Sequence, residues 1–288
     1  MPAAAAVGPY RIEAEIGRGA TSVVYRALDT RDGRRVALKT LALNREFDAE
    51  AIDAARSRFL READAARRLH HPGVVAVQDA GEAGGTAYLA MEWVAGHDLR
   101  RHTAPGALLP LPQVLEIAAS VADALGYAHS QGVVHRDVKA ANVLIDAASG
   151  RVRVADFGVA RIADASHTRT GMLLGTPECM APELLAGQRA DSRSDLYALG
   201  VLLFQLLCGR LPFEAAALGA LMRQVVNDPA PPLQSLRGDA PAALSALVAQ
   251  LLAKDPASRP PDGAAVGREL RTIAAVMQAP PGAETMPP

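Results

Sequence analysis

As far as about Trp93, apolar positions come in short runs broken by glycines and polar turns. Tyr10 to Ile16, Val23 to Asp29 and Arg35 to Leu41 read as strands of a meander, with Gly19 and Gly33 between them. Ala49 to Leu69 departs from this pattern: Phe59, Leu60, Ala63 and Ala66 recur at helical spacing, and the stretch stops before His71-Pro72. Val74 to Val77 and Ala87 to Trp93 are predicted as two further strands, with Gly81, Gly84 and Gly85 as the turn between them. After Gly96 the period changes. Val114, Leu115, Ala118, Val121, Ala122, Leu125 and Ala128 form one apolar helix face, ending at Gly132. Leu196 to Leu207 is apolar almost all round and predicts a buried helix stopped by Gly209 and Pro212, and Leu244 to Lys254 predicts another, closed by Asp255-Pro256. These elements predict an α+β chain with a small β-rich part carrying one helix, then a larger, mainly helical part, without internal repeats.

Composition narrows the classes. A chain of 288 residues, 50% of them hydrophobic, can bury a sizeable core. Its formal net charge of -1 offers no electrostatic footprint for nucleic acid. Two cysteines, Cys179 and Cys208, cannot build a disulfide framework and suit a reducing compartment, the expectation being a cytoplasmic protein or the cytoplasmic domain of a longer one. The longest strongly apolar stretch, Leu196 to Cys208, falls short of the roughly 20 residues that span a bilayer. Residues 1–9 read as a flexible segment and 276–288, rich in Pro and small residues, as a disordered tail or linker.

Three segments carry chemistry. In Ile16-Gly17-Arg18-Gly19-Ala20-Thr21-Ser22-Val23-Val24 the glycines let backbone amides approach phosphate oxygens. A strand resumes at Val23, so the dinucleotide fold, which needs a helix there, is excluded. There is no GxxxxGK[ST] run, which excludes the P-loop. Val36-Ala37-Leu38-Lys39 ends in one cation for phosphates, and Glu62 on the predicted helix can supply an acid to hold it. Most specific is His135-Arg136-Asp137-Val138-Lys139-Ala140-Ala141-Asn142, followed after a strand by Asp156-Phe157-Gly158. Asp137 can accept the proton of an attacking hydroxyl, Lys139 can neutralise a transferring phosphoryl group, and Asn142 and Asp156 can ligate a hard cation through oxygen. A carboxylate base and two oxygen ligands around a triphosphate are what phosphoryl transfer requires.

In this order the motifs resemble the eukaryotic-type (Hanks-type) serine/threonine protein kinase family, most closely its bacterial members, from about Tyr10 to Leu270. The resemblance implies a bilobal protein kinase fold over 10–275: an N-lobe at 10–93, a hinge at 92–98 and a C-lobe at 99–275. It implies ATP with Mg2+ or Mn2+, Glu62 as the partner of Lys39, and Asn142 and Asp156 as metal ligands. Met91 is then the gatekeeper, the backbones of Glu92 and Val94 hydrogen-bond adenine, Asp98 meets the ribose, and Ile16, Val24, Ala37 and Leu144 sandwich the base. Ala181-Pro182-Glu183 closes the activation segment, with Glu183 expected to pair with Arg259. Lys139 with Thr176 implies protein substrates with Ser/Thr acceptors, and Arg136 implies activation by autophosphorylation, with Thr168 and Thr170 as candidate sites. A transient or back-to-back homodimer is a further implied partner. Two departures stand out: Ser22 replaces the third glycine of the loop, and Cys179 occupies a position usually aromatic. A nucleotide-binding pseudokinase scaffold and a small-molecule kinase of the same fold are the competing readings; the retained Lys39, Asp137 and Asp156 oppose the first and Ala181-Pro182-Glu183 the second.

Overall fold

The computed structural model describes residues 5–19, 22–42, 49–157 and 177–278. They form two compact units, one of Met1–Asp98, Ala128–Asp137 and Asn142–Pro177, the other of Leu99–Tyr127, Val138–Ala141 and Glu178–Pro288.

In the first unit, β1 (Ala6–Val7), β2 (Tyr10–Arg18), β3 (Ser22–Asp29), β4 (Arg35–Ala42), β5 (Val77–Ala83) and β6 (Thr86–Glu92) form one sheet in the order β1-β2-β3-β4-β6-β5. Helix α1 (Ala49–Arg67) packs on it. Strand alternation splits the sheet into two faces. One carries Tyr10, Ala27, Val36, Leu38, Tyr88 and Ala90. The other joins Leu41, Leu89, Met91 and Val94 to Phe59 and Ala63 of α1, with Ala37 and Leu144 against them. A second sheet orders β7 (Gly96–Asp98), β8 (Val143–Asp146) and β9 (Val152–Val154). Gly96 permits it, because a Cβ there would lie 1.8 Å from the Ile145 carbonyl oxygen.

Two expectations for this unit need correction. Residues 1–9 are not uniformly without structure: Ala6 and Val7 pair with Arg11 and Tyr10 in a hairpin turned by Gly8 at φ 55°. The strand expected at Val74 to Val77 starts at Val77 and continues through Gly81, which is no turn residue. Glycine is needed at 81 because a Cβ there would meet the Tyr88 hydroxyl at 2.7 Å. The turn falls at Gly84 and Gly85 alone, both with positive φ.

The second unit is helical: α2 (Leu111–Ser130, whose last three residues count with the first unit), α3 (Pro182–Leu185), α4 (Ser192–Cys208), α5 (Leu218–Asn227), α6 (Leu233–Leu236), α7 (Ala242–Leu251) and α8 (Gly263–Gln278). Helix α4 is the buried axis expected from its sequence. Asp191 caps it with a reciprocal Ser194 bond, and Gly209 ends it at φ 69°. Close approach of helices depends on missing side chains: Gly200 faces Leu251, and Gly263 faces the Ala122 carbonyl. Beneath α4 lies a buried ion pair. Arg259 Nη1 and Nη2 donate to the two Glu183 carboxylate oxygens at 2.7 and 2.8 Å. Helix α8 continues through Gln278, beyond the start of the expected tail, and residues 279–288 lie outside the described ones. Among the described residues no helix is long and apolar enough to cross a membrane.

Candidate active site

Strand register assembles the first half of the site. Gly17 lies opposite Val24 across β2 and β3, Val24 opposite Lys39 across β3 and β4, and Lys39 opposite Leu89 across β4 and β6. Directly opposed residues share a face. The glycine segment and the lysine are therefore brought together by register alone. Gly19 N–H donates to the Ser22 carbonyl at 2.8 Å and closes the loop, whose tip residues Ala20 and Thr21 lie outside the described ones. Arg18 points to Glu15 at 2.6 Å in an exposed pair. Val23 accepts from the Thr40 hydroxyl through its carbonyl.

The second half hangs on His135, which is fully buried. Its Nε2 bonds the Ala155 carbonyl at 2.8 Å, and its Nδ1 accepts from Asp137 N–H at 3.2 Å. That pair of partners requires the neutral tautomer with the proton on Nε2. The ring also packs against Phe157, 4.6 Å between centroids. His135 thus ties the loop carrying Asp137 to the strand end carrying Asp156. Sequence reading gave this residue no role of its own.

Asn142 completes the loop. Its Nδ2 donates to the Asp137 carbonyl at 2.8 Å and to Asp137 Oδ2 at 2.9 Å, and its own carbonyl accepts from Ala155 N–H. With the amide nitrogen engaged, the amide oxygen remains as the ligand atom. Asp156 has φ 67° and Arg136 φ 70°, the two positive-φ residues other than glycine among those described. Such conformations cost about 1–3 kcal/mol each and persist where surrounding contacts hold them. Here the His135, Asn142 and Ala155 bonds do so. Asn142 and Asp156 offer hard oxygen donors suited to Mg2+ or Mn2+. Among the described residues no group of three or more His, Cys, Asp and Glu is placed to hold a metal ion.

The charges pair differently from the expectation. Lys39 Nζ lies 3.0 Å from Asp156 Oδ2, and Glu62 Oε1 lies 3.8 Å from Arg136. Lys39 is thereby brought to the metal-ligand candidate, and Glu62 meets Arg136. Lys139 follows Asp137 by two positions and belongs to the second unit.

Of the residues expected around a base, Ala37, Met91, Val94 and Leu144 belong to one apolar cluster. Ile16 is 45% exposed on β2. Asp98 ends β7 opposite Leu144. Glu92 ends β6, its N–H donating to the Ala76 carbonyl at 2.8 Å. One residue that sequence reading missed holds it: Arg153 of β9 reaches Glu92 Oε1 at 3.0 Å. Its only trace in the sequence is a cation between two apolar strand residues, Val152 and Val154. Gly158, Thr168, Thr170 and Thr176 lie outside the described residues.

Comparison with known proteins agrees with this geometry. A family model described as "Protein kinase domain" matches residues 10–268. The chain is 40% identical over 276 residues to the serine/threonine-protein kinase pkn3 of Myxococcus xanthus, covering 92% of this chain and 50% of that protein. It is 42% identical over 259 residues to the serine/threonine-protein kinase PknJ of Mycobacterium tuberculosis, covering 87% of this chain and 43% of that one. The chain thus spans about half, or less, of the length of these curated relatives. The crystal structure of the Mycobacterium tuberculosis PknI kinase domain superposes with a TM-score of 0.76 at 32% identity, covering 96% of this chain and 99% of that one.

Proposed function

From the premise that the chain belongs to the protein kinase domain family, we propose that it transfers the γ-phosphate of ATP to serine and threonine hydroxyls of protein substrates. The observation that carries this reading is the bonded set His135, Asp137, Asn142 and Ala155-Asp156. Asp137 accepts the proton of the attacking hydroxyl, and Asn142 orients its carboxylate. Lys139 offsets charge on the phosphoryl group in flight, and Lys39 holds the inner phosphates. The glycine segment at Gly17 and Gly19, which has no side chains to hold the phosphates off, covers them, while Ala37, Met91, Val94 and Leu144 exclude water from the base. Asn142 and Asp156 would hold Mg2+ or Mn2+, which when bound supplies positive charge to the phosphate oxygens. Catalysis of this kind is mostly positioning and electrostatics, which suits a site fixed by buried hydrogen bonds.

Glu62 serves in this reading as the acid of α1 that engages Lys39 in the working enzyme, with Arg136 as its present partner. A phosphate on Thr168 or Thr170 is the proposed activating modification, since Arg136 can form charge-assisted bonds with it. Thr176, with Lys139, underlies the Ser/Thr preference. The cytoplasm, where ATP and Mg2+ are at hand, is the proposed place of action.

The test is phosphoamino-acid analysis of purified chain and a generic basic protein after incubation with radiolabelled ATP and Mg2+. Label on phosphothreonine and phosphoserine is expected. Label on tyrosine, or none on protein, would overturn the proposal. Phosphopeptide mapping without label between Gly158 and Ala181 would overturn the autophosphorylation part alone.

A further inference from the structure

Arg153 sits in the middle of β9, opposite Leu144 of β8. Its neighbours along the strand lead inward and on to the site: Val154 is fully buried, and Ala155 accepts from His135 two residues before the polypeptide reaches Phe157. An arginine in such a strand would ordinarily turn to water. This one is only 20% exposed and grips Glu92, with Nη2 3.0 Å from Oε1 and Nη1 3.4 Å from Oε2. The same Nη1 reaches the Val74 carbonyl at 3.4 Å. Its Nε is buried with no hydrogen-bond partner among the described residues. Burying an unsatisfied donor carries a cost, so the grip on Glu92 is retained against an opposing term.

Glu92 is held from both sides. Its N–H donates to the Ala76 carbonyl at 2.8 Å, and Ala76 N–H approaches Glu92 Oε2 at 3.5 Å. The segment that supplies Ala76 is itself stitched to β9: Val154 N–H donates to Gly73 and Val75 N–H to Val154. Main chain and side chain of Glu92 are therefore referenced to one strand, β9, from which the polypeptide leads on to Asp156. Anchoring both the N–H and the carboxylate fixes the N–Cα–Cβ frame of Glu92, and with it the point from which the backbone leaves towards Trp93.

We propose that Arg153 is a positioning residue for adenine recognition. By clamping the Glu92 carboxylate it sets the placement of the backbone edge that hydrogen-bonds the base, relative to the strand that pairs with Leu144 and leads on to Asp156. This rests on the kinase reading above, in which that edge takes adenine. The clamp acts on the base and not on the phosphates, so its loss affects ligands according to whether they carry adenine.

The test measures binding of ADP, adenosine and inorganic tripolyphosphate by calorimetry or competition, and steady-state kinetics with ATP and GTP. Arg153→Met should weaken ADP and adenosine about five-fold, the scale of one partly exposed ion pair. Tripolyphosphate binding and kcat should hold within about two-fold, and the preference for ATP over GTP should fall as the KM for ATP rises. Glu92→Gln should reproduce the loss, and the double variant should be no worse than either single one, because both remove one coupled interaction. Arg153→Lys, which keeps one charge-assisted bond, should recover part of it. Glu92→Gln carries the same test if Arg153→Met does not fold. Unchanged ADP affinity in both single variants would overturn the inference while wild-type phosphotransfer left the kinase reading standing. An equal loss for tripolyphosphate would overturn it too, by showing general weakening. Wild-type protein that binds no ADP and transfers no phosphate would remove the kinase reading, and the inference with it.

Discussion

Arg259→Met would remove a guanidinium whose side chain is 0% exposed and leave behind the Glu183 carboxylate, itself only 6% exposed. Ser194 Oγ, at 2.8 Å, would be the remaining side-chain donor to that carboxylate among the described residues. Arg259 also donates to the carbonyls of Arg193, Ala253 and Lys254 and lies over the Tyr197 ring, 5.0 Å from its centroid. Breaking a buried pair from one side costs about 3–5 kcal/mol, because the surviving charge stays desolvated. Folding free energies run to about 5–15 kcal/mol, so the loss should be plain in urea unfolding followed by helical circular dichroism. The pH dependence is the sharper readout. Burial raises the Glu183 pKa and the Arg259 bonds lower it, with a net fall below the ordinary carboxylate value. In the wild type the carboxylate therefore adds stability above its unfolded pKa of about 4.3 and loses it as pH falls through the lower folded value. Without Arg259, burial dominates and the folded pKa rises above the unfolded one. The deficit should then be largest near neutrality and narrow towards about pH 5, as the buried carboxyl takes up its proton. A loss below about 1 kcal/mol, or a deficit independent of pH, would refute this reasoning.

Two further perturbations probe the architecture. Gly96→Ala places a methyl group 1.8 Å from the Ile145 carbonyl oxygen and must part β7 from β8; a loss of about 3 kcal/mol in thermal or urea unfolding is expected, and wild-type stability would contradict the close approach. Lys254 donates to the carbonyls of Gln224 and Val225 and lies over Phe213, and burial pulls its pKa from 10.5 down to about 8 against the pull of Asp228. The unfolded chain binds more protons between those values, so wild-type stability should gain from this group as pH rises through that window. Lys254→Met should lack that gain, and equal pH slopes for the two proteins would count against the buried ammonium.

Much of the fold was legible because hydrophobic period depends on local geometry. The buried helix from Ser192 to Cys208, with Gly209 behind it, follows from an apolar run and a stop signal. Gly81 was misread because a glycine looks the same in a turn and beneath a tyrosine ring; only the cross-strand neighbour, Tyr88, distinguishes them. The pairing of Ala6 and Val7 was missed since alanine-rich segments carry no alternation. At the site, Asp137, Asn142 and Asp156 stood out by order and spacing. What joins them did not: the His135 bond to Ala155 spans twenty positions and the Arg153 grip on Glu92 spans 61. Partner choice is likewise non-local. Resemblance implied Glu62 for Lys39, whereas the 3.0 Å pair is with Asp156, a residue that local pattern cannot relate to β4.

The most direct test of the account replaces the carboxylate that Asn142 orients. Asp137→Asn keeps the shape of the side chain and removes its capacity to accept a proton. Initial rates of phosphate transfer from radiolabelled ATP to a basic protein, wild type beside variant, should differ at least 100-fold, about 3 kcal/mol of transition-state stabilisation. ADP affinity should change little, because the variant leaves the base-binding residues intact. A variant that retained near-wild-type transfer would contradict the assignment of Asp137 as the catalytic base.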